Sequence, residues 1–254
     1  MKCFKYTILA ITFLCVHSIQ AQEFTYFNKK LEFPNNNLVA VATLPIPNGY
    51  LVLGNYNTSG TRAVFIARID SKGDLIWISP LEDSLELGTG GGSATGACLV
   101  QIDETHFAVT YGIYKDVAFE DLDIALVKFT IEGDVLWQKE YGSDRQEQAY
   151  HLIHTKDDGF LMTGYQDVEN KHWHFYAIKT DAEGEVEWEG KYSLGGHSVA
   201  FDAYETLDGG YIFSGYGRNT VKDYDMYFVK TNDKGKRQWQ KNYGTDNADS
   251  GCRV

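Results

Sequence analysis

Residues 175–188 read Phe175-Tyr-Ala-Ile-Lys-Thr-Asp-Ala-Glu-Gly-Glu-Val-Glu-Trp188, and residues 226–239 read Met226-Tyr-Phe-Val-Lys-Thr-Asn-Asp-Lys-Gly-Lys-Arg-Gln-Trp239. In both, a β-rich run reaches Asp181 or Asn232, a glycine follows three residues later, and a tryptophan four residues after that. Two more copies stand upstream: Asp70, Gly73 and Trp77, then Thr130, Gly133 and Trp137. The tryptophans are spaced 60, 51 and 51 residues apart. Self-similarity at such a period marks a repeat architecture. Asp, Asn and Thr side chains suit a tight turn because they hydrogen-bond nearby backbone amides. Each copy therefore predicts a hairpin, with first strands at 64–69, 124–129, 175–180 and 226–231 and the tryptophan on the second strand. A closing pair follows as Tyr141-Gly142, Tyr192-Ser193 and Tyr243-Gly244, drifting to Leu81-Glu82 in the first copy.

A second hairpin precedes each of these. Runs 38–44, 97–102, 150–155 and 201–206 lead into turns at Asn48-Gly49, Glu104-Thr105-His106, Asp157-Asp158-Gly159 and Asp208-Gly209-Gly210. Asn-Gly and Asp-Gly are strong hairpin signals because the turn needs positive φ. Partner strands follow at 50–54, 107–112, 160–164 and 211–215. Four antiparallel strands per unit define an all-β chain of β-propeller blades. The repeats run approximately 38–82, 96–142, 149–193 and 200–244. Adjacent apolar residues such as Leu126-Val127 and Phe228-Val229 fit strands covered on both faces, and the recurring tryptophan reads as a wedge between blades. Residues 23–32 pattern as a lone fourth strand and 250–254 as the start of a first strand. An incomplete ring is expected, with a truncated piece of a longer propeller preferred over a four-bladed ring with an imperfect seam.

Residues 1–21 place Lys2 and Lys5 before an apolar run and end on Ala21, the pattern of a cleaved secretory signal peptide, leaving 22–254 as the repeat domain. The run is too short to span a bilayer. Acidic residues outnumber basic ones 35 to 23, for a formal net charge of −12, which argues against nucleic-acid partners and electrostatic membrane docking. Outside the leader only Cys98 and Cys252 remain, on different predicted blades, so no disulfide scaffold is expected.

The quoted units, together with Asp208-Gly-Gly-Tyr-Ile-Phe-Ser-Gly-Tyr216, resemble the secreted propeller repeats of Bacteroidetes-type bacteria, found in large cell-surface proteins. They are also similar to the quinoprotein-alcohol-dehydrogenase-like superfamily, whose blades carry an Asp-turn-Gly-x-x-x-Trp docking motif. The step from Asp181 to Gly184 is one residue shorter than that motif implies. The resemblance implies a propeller and a surface location. It does not imply an activity, because propellers host many unrelated ones.

Candidate chemistry is sparse. A quinone enzyme would need a pocket with a bound calcium, a catalytic Asp and usually a special cysteine pair; no adjacent cysteines exist, and no cofactor is expected. Asp121/Asp123 and Asp223/Asp225 are the neatest carboxylate pairs for glycoside hydrolysis, but they occupy equivalent places in two repeats, and a repeated position reads as structural. The stretch 88–96 (Gly-Thr-Gly-Gly-Gly-Ser-Ala-Thr-Gly) lacks a phosphate-loop ending and reads as a flexible insertion between blades. His172 and His174 are two apart on one predicted strand face, a spacing some metal sites use, yet they fall in the columns of the aspartate pairs and are expected as exposed loop histidines. Trp173 and Tyr224 are the candidates for stacking against a ligand. The expected function is a secreted or cell-surface, non-enzymatic module binding a protein or glycan, or serving a structural role. The alternative is an enzyme of the glycoside hydrolase or quinoprotein kind with its site at the propeller channel.

Overall fold

The computed structural model describes residues 37–58, 61–81, 92–115, 121–168, 172–218, 224–245 and 249. The expected signal peptide, the lone strand at 23–32, the partial strand at 250–254, Asp223 and Cys252 lie outside the described residues. Among the described residues, sixteen strands form four sheets of four, each antiparallel and in chain order. Blade 1 holds β1 (Asn37–Ile46), β2 (Gly49–Thr58), β3 (Thr61–Asp70) and β4 (Leu75–Pro80). Blade 2 holds β5 (Gly92–Gln101), β6 (His106–Tyr114), β7 (Leu122–Thr130) and β8 (Val135–Tyr141). Blade 3 holds β9 (Glu147–His154), β10 (Phe160–Val168), β11 (His172–Thr180) and β12 (Val186–Tyr192). Blade 4 holds β13 (Ser198–Glu205), β14 (Tyr211–Gly217), β15 (Asp225–Thr231) and β16 (Arg237–Tyr243). The first strands β1, β5, β9 and β13 meet from blade to blade, whereas the fourth strands keep mainly to their own sheets. The arrangement is propeller-like, with four blades. Among the described residues there is no helix long and apolar enough to cross a membrane.

The recurring order of turn, glycine and tryptophan has a direct local cause. Asp70 Oδ1 accepts from the amides of Lys72 and Asp74, Asp181 Oδ1 from Glu183 and Glu185, and Asn232 Oδ1 from Lys234 and Lys236. Thr130 Oγ1 does the same for Glu132 and Asp134 at 3.3 Å each. The chain then reverses through a glycine at φ of +80°, +92°, +82° and +70° in the four blades, a region L side chains avoid.

Among the described residues, three of the four apolar clusters lie between successive blades, and the fourth, around Val52, Phe65 and Ala67, belongs to blade 1 alone. Leu53, Val64 and Ile66 meet Phe107, Val109, Val127 and Phe129 between blades 1 and 2. Ala108, Ile124 and Leu126, on the other face of blade 2, meet Leu152, Phe160, Met162 and Ile178 of blade 3. Leu161, Phe175 and Ala177 then meet Tyr211, Phe213, Tyr227 and Val229 of blade 4. Adjacent residues such as Ala108 and Val109 thus enter different cores, as strands covered on both faces require. Full burial of each large apolar side chain contributes about 1.5–3 kcal/mol, so a single blade would lose most of its stabilisation alone.

The tryptophans do act as wedges in three blades. Trp77 lies over Gly133, Trp137 over Gly184 and Trp188 over Gly235, each the turn glycine of the next blade. Trp77 Nε1 donates to Ile131 O at 3.2 Å and Trp188 Nε1 to Asp233 O at 3.0 Å. The closing tyrosines reinforce the joint, since Tyr141 and Tyr192 hydroxyls donate to the carbonyls of Gly184 and Gly235. Leu81, in the tyrosine position of blade 1, is buried in the first inter-blade core instead. Trp239 departs from the expectation: 41 % of it is exposed.

Two sequence expectations need correction. The second strands do not stop at their glycines but run on through them, because each glycine faces a β-bulge in the first strand. Val41, Tyr150 and Phe201 are the extra residues opposite Gly54, Gly164 and Gly215. A Cβ on Gly164 would meet Gln148 O at 1.8 Å, so only glycine admits the bulged backbone. The Gly-rich stretch is also not simply an insertion between blades. Residues 88–91 lie outside the described residues, but Gly92 and Ser93 pair with Ile113 and Gly112 and the register resumes at Cys98 with Thr110, so residues 94–97 form a bulge within β5. Cys98 Sγ lies 3.7 Å from Leu152 O.

Candidate functional site

The bulges do more than absorb a residue: they re-aim side chains. Tyr150 of β9 and Phe201 of β13 are the bulged residues of blades 3 and 4, and their rings meet across the blade boundary with centroids 5.4 Å apart. Each also contacts the residue after its facing glycine, Tyr150 with Tyr165 at 6.0 Å and Phe201 with Tyr216 at 5.5 Å. Trp173 continues this row from Tyr165 at 4.7 Å, and Tyr224 continues it from Tyr216 at 4.9 Å. The result is one ribbon of six rings, Trp173–Tyr165–Tyr150–Phe201–Tyr216–Tyr224, whose ends are the two residues singled out as stacking candidates. All but the buried Tyr165 are half-buried. The Arg218 guanidinium sits 5.4 Å from the centroid of the Tyr224 ring at one end. Burial raises the Tyr150 phenol to about 12, with smaller contributions from Tyr216 and Tyr114, so it stays protonated and able to donate at neutral pH.

Sequence reading missed the middle of the ribbon. The signal was present in two aromatic columns, Tyr150/Phe201 and Tyr165/Tyr216, each at the same offset in its repeat. Without the bulge, nothing in the alternation of those strands distinguishes a ring that lines a surface from one that enters a core.

His172 and His174 lie within β11 rather than in a loop, and both are half-buried, which corrects that expectation. They open the strand because the β10–β11 pairing extends out to Val168 and His172. A third histidine joins them from the segment before β13. The His197 ring is 4.9 Å from that of His172 and 5.5 Å from that of Trp173. The Trp173 amide donates to His197 Nδ1 at 3.1 Å, which leaves the proton of the neutral ring on Nε2. Burial lowers the pKa of His197, helped by His172 and Arg218 and opposed by Asp167. His174 is lowered by burial, then by His172, Lys191 and His197. Among the described residues, no group of three or more His, Cys, Asp or Glu side chains is arranged to hold a metal ion.

The carboxylate columns have a packing role. Asp123 lies directly against Gly142 and Asp225 against Gly244, the glycines of the closing pairs. Asp225 Oδ2 also accepts from Asn242 Nδ2 at 2.7 Å. Burial raises Asp123 to about 6, with Lys115 opposing and Asp121, Glu147 and Glu140 adding to the rise. Glu147 is fully buried and held by Ser143 and Gln166.

A cleft of about 630 Å3 opens between blades 3 and 4 on the side of the first-hairpin turns, with Trp188, Tyr211, Lys156, Glu205, Asp233 and Lys234 among its walls. Its charges are largely paired within the protein. Lys156 Nζ is 3.3 Å from Glu205, and the buried Lys179 bonds Asp157 and Glu187 at 2.8 Å each. Lys230 repeats the role of Lys179 toward Asp208. This basic column, visible in both quoted stretches, is a structural pin that the motif reading passed over.

No family model matches the chain, and no curated protein matches it in sequence.

Proposed function

We propose that this chain is a non-enzymatic binding module of an exported or cell-surface protein, taking a glycan along the aromatic ribbon of blades 3 and 4. The observation that carries the reading is the unbroken row of six rings from Trp173 to Tyr224, bordered by Arg218. Tyrosine and tryptophan offer an apolar ring face and a polar tip, the combination a sugar's alternating CH and OH surfaces require. The leader pattern of residues 1–21 supports export. The likeness of the repeats to secreted surface propellers supports the same setting.

A glycan array followed by calorimetric titration of any hit tests this. Binding is expected to be lost in Trp173→Ala and in Tyr224→Ala, with the fold retained. An array at background throughout, or a hit that both variants bind as tightly as the parent, would overturn the reading. Retention of a protein ligand that the same two substitutions release would move the ligand class from glycan to protein.

A further inference from the structure

We infer that the outer face of blade 4 is a docking surface for a further blade of this same repeat type. Each joint between described blades is built from the same parts. A tryptophan of one blade covers the turn glycine of the next, and a tyrosine four residues on donates to that glycine's carbonyl, with leucine in its place in blade 1. Blade 4 carries the pair again as Trp239 and Tyr243, and here 41 % and 52 % of the two residues are exposed. Their counterpart Tyr192 is only 5 % exposed.

The match extends over the whole face. In blade 3, Leu161, Phe175 and Ala177 are buried at 1 % exposure each against blade 4. The pairing registers put Ile212, Met226 and Phe228 in the equivalent places on blade 4. None of these three is buried, and Tyr204 beside Ile212 is half exposed. Every residue of β16 is exposed or half-buried, whereas β12 buries Gly190 and Tyr192. An apolar sheet face of this kind is normally covered.

The occupant is defined by the three joints already formed. It must present a turn ending in glycine at positive φ, so that an indole can lie flat where a Cβ would stand. It must leave that glycine's carbonyl free for the Tyr243 hydroxyl and a carbonyl before it for Trp239 Nε1. Its near face must carry large apolar side chains like those of Tyr211, Phe213, Tyr227 and Val229. Coupling between neighbours is the main source of stability in such arrays.

The test appends a second copy of residues 198–245 to the end of the full chain and follows trypsin digestion and circular dichroism. The appended unit is expected to resist trypsin as the parent blades do. That protection should be lost when Trp239→Ala and Tyr243→Phe are combined, or when the appended copy's equivalent of Gly235 is changed to valine, while the parent's dichroism is unchanged. An appended unit cleaved as fast with the original face as with the double substitution would overturn the inference. So would protection that survives both changes. Sedimentation of the unextended chain separates the other occupant: a dimer that Trp239→Ala dissolves, with the appended unit still cleaved, would assign the face to a second copy and overturn the inference as stated.

Discussion

The hydroxyl of Tyr192 donates to the carbonyl oxygen of Gly235 at 2.6 Å, tying the last strand of blade 3 to a turn of blade 4. Tyr141 and Gly184 form the same bond at 2.7 Å one blade earlier. Tyr192→Phe keeps the ring and removes only the donor. It is expected to cost about 1 kcal/mol, the usual worth of a hydrogen bond whose acceptor is left partly dry. Urea unfolding measures it, and an unchanged midpoint would show that the bond contributes nothing.

Gly209 and Gly235 separate conformation from space. Both have positive φ, +79° and +70°, but a Cβ on Gly209 meets nothing within 4 Å while one on Gly235 lies 2.4 Å from the Trp188 ring. Gly209→Ala is expected to cost about 1 kcal/mol from backbone strain alone. Gly235→Ala adds a clash that must push the indole away, and about 3 kcal/mol is expected. Equal losses in thermal unfolding of the two variants would contradict the role of the glycine as a landing site for tryptophan.

Lys179 is 1 % exposed and bonds Asp157, Glu187 and the Thr180 carbonyl. Burial works to raise Asp157, but the bonds from Lys179, Thr155 and Gly159 outweigh it and hold the carboxyl below its ordinary value. A depressed carboxyl stabilises the fold above its unfolded pKa and loses that contribution as the pH falls. Lys179→Met should therefore cost about 2 kcal/mol at pH 7, moderated because both carboxylates are partly hydrated. The deficit should shrink as the pH drops toward 3. A deficit that is constant with pH would show that only packing was lost.

Asp123 predicts the opposite trend. Its carboxyl is raised to about 6 from 3.8, so the folded protein holds its proton where the unfolded chain has released it. The ionised form is therefore a burden above pH 6, a shrinking one between 6 and 3.8, and none below. Asp123→Asn should raise the melting temperature at pH 7.5, a gain on the order of 1 kcal/mol once partial hydration is allowed for. At pH 3.5 variant and parent should melt together. A variant less stable than the parent at pH 7.5 would mean that the 3.8 Å approach of Lys115 to Asp123 dominates instead.

Much of the fold was legible because its determinants are local. Asp181 and Gly184 make their turn with bonds that span at most four residues, and Asn48 and Asp158 take φ of 64° and 65° where the hairpin signals stood. The candidate site was legible only at its ends. Trp173 and Tyr224 were legible as stacking candidates, whereas Tyr150 and Phe201 looked like ordinary strand residues until a one-residue bulge turned them toward each other. His197 was invisible for a related reason: it is 25 residues from His172, and only the packing of β11 beside the start of β13 brings the two rings together.

The amino-acid sequence by itself determined the unit: four strands, their turns, and which residues alternate between two faces, all set by interactions a few residues long. Only the tertiary structure decided what each face touches. Whether an indole is a wedge or an exposed surface depends on whether another blade stands beside it. Trp188 and Trp239 occupy the same place in the same motif, yet Trp188 lies over the turn glycine of the next blade while 41 % of Trp239 is exposed.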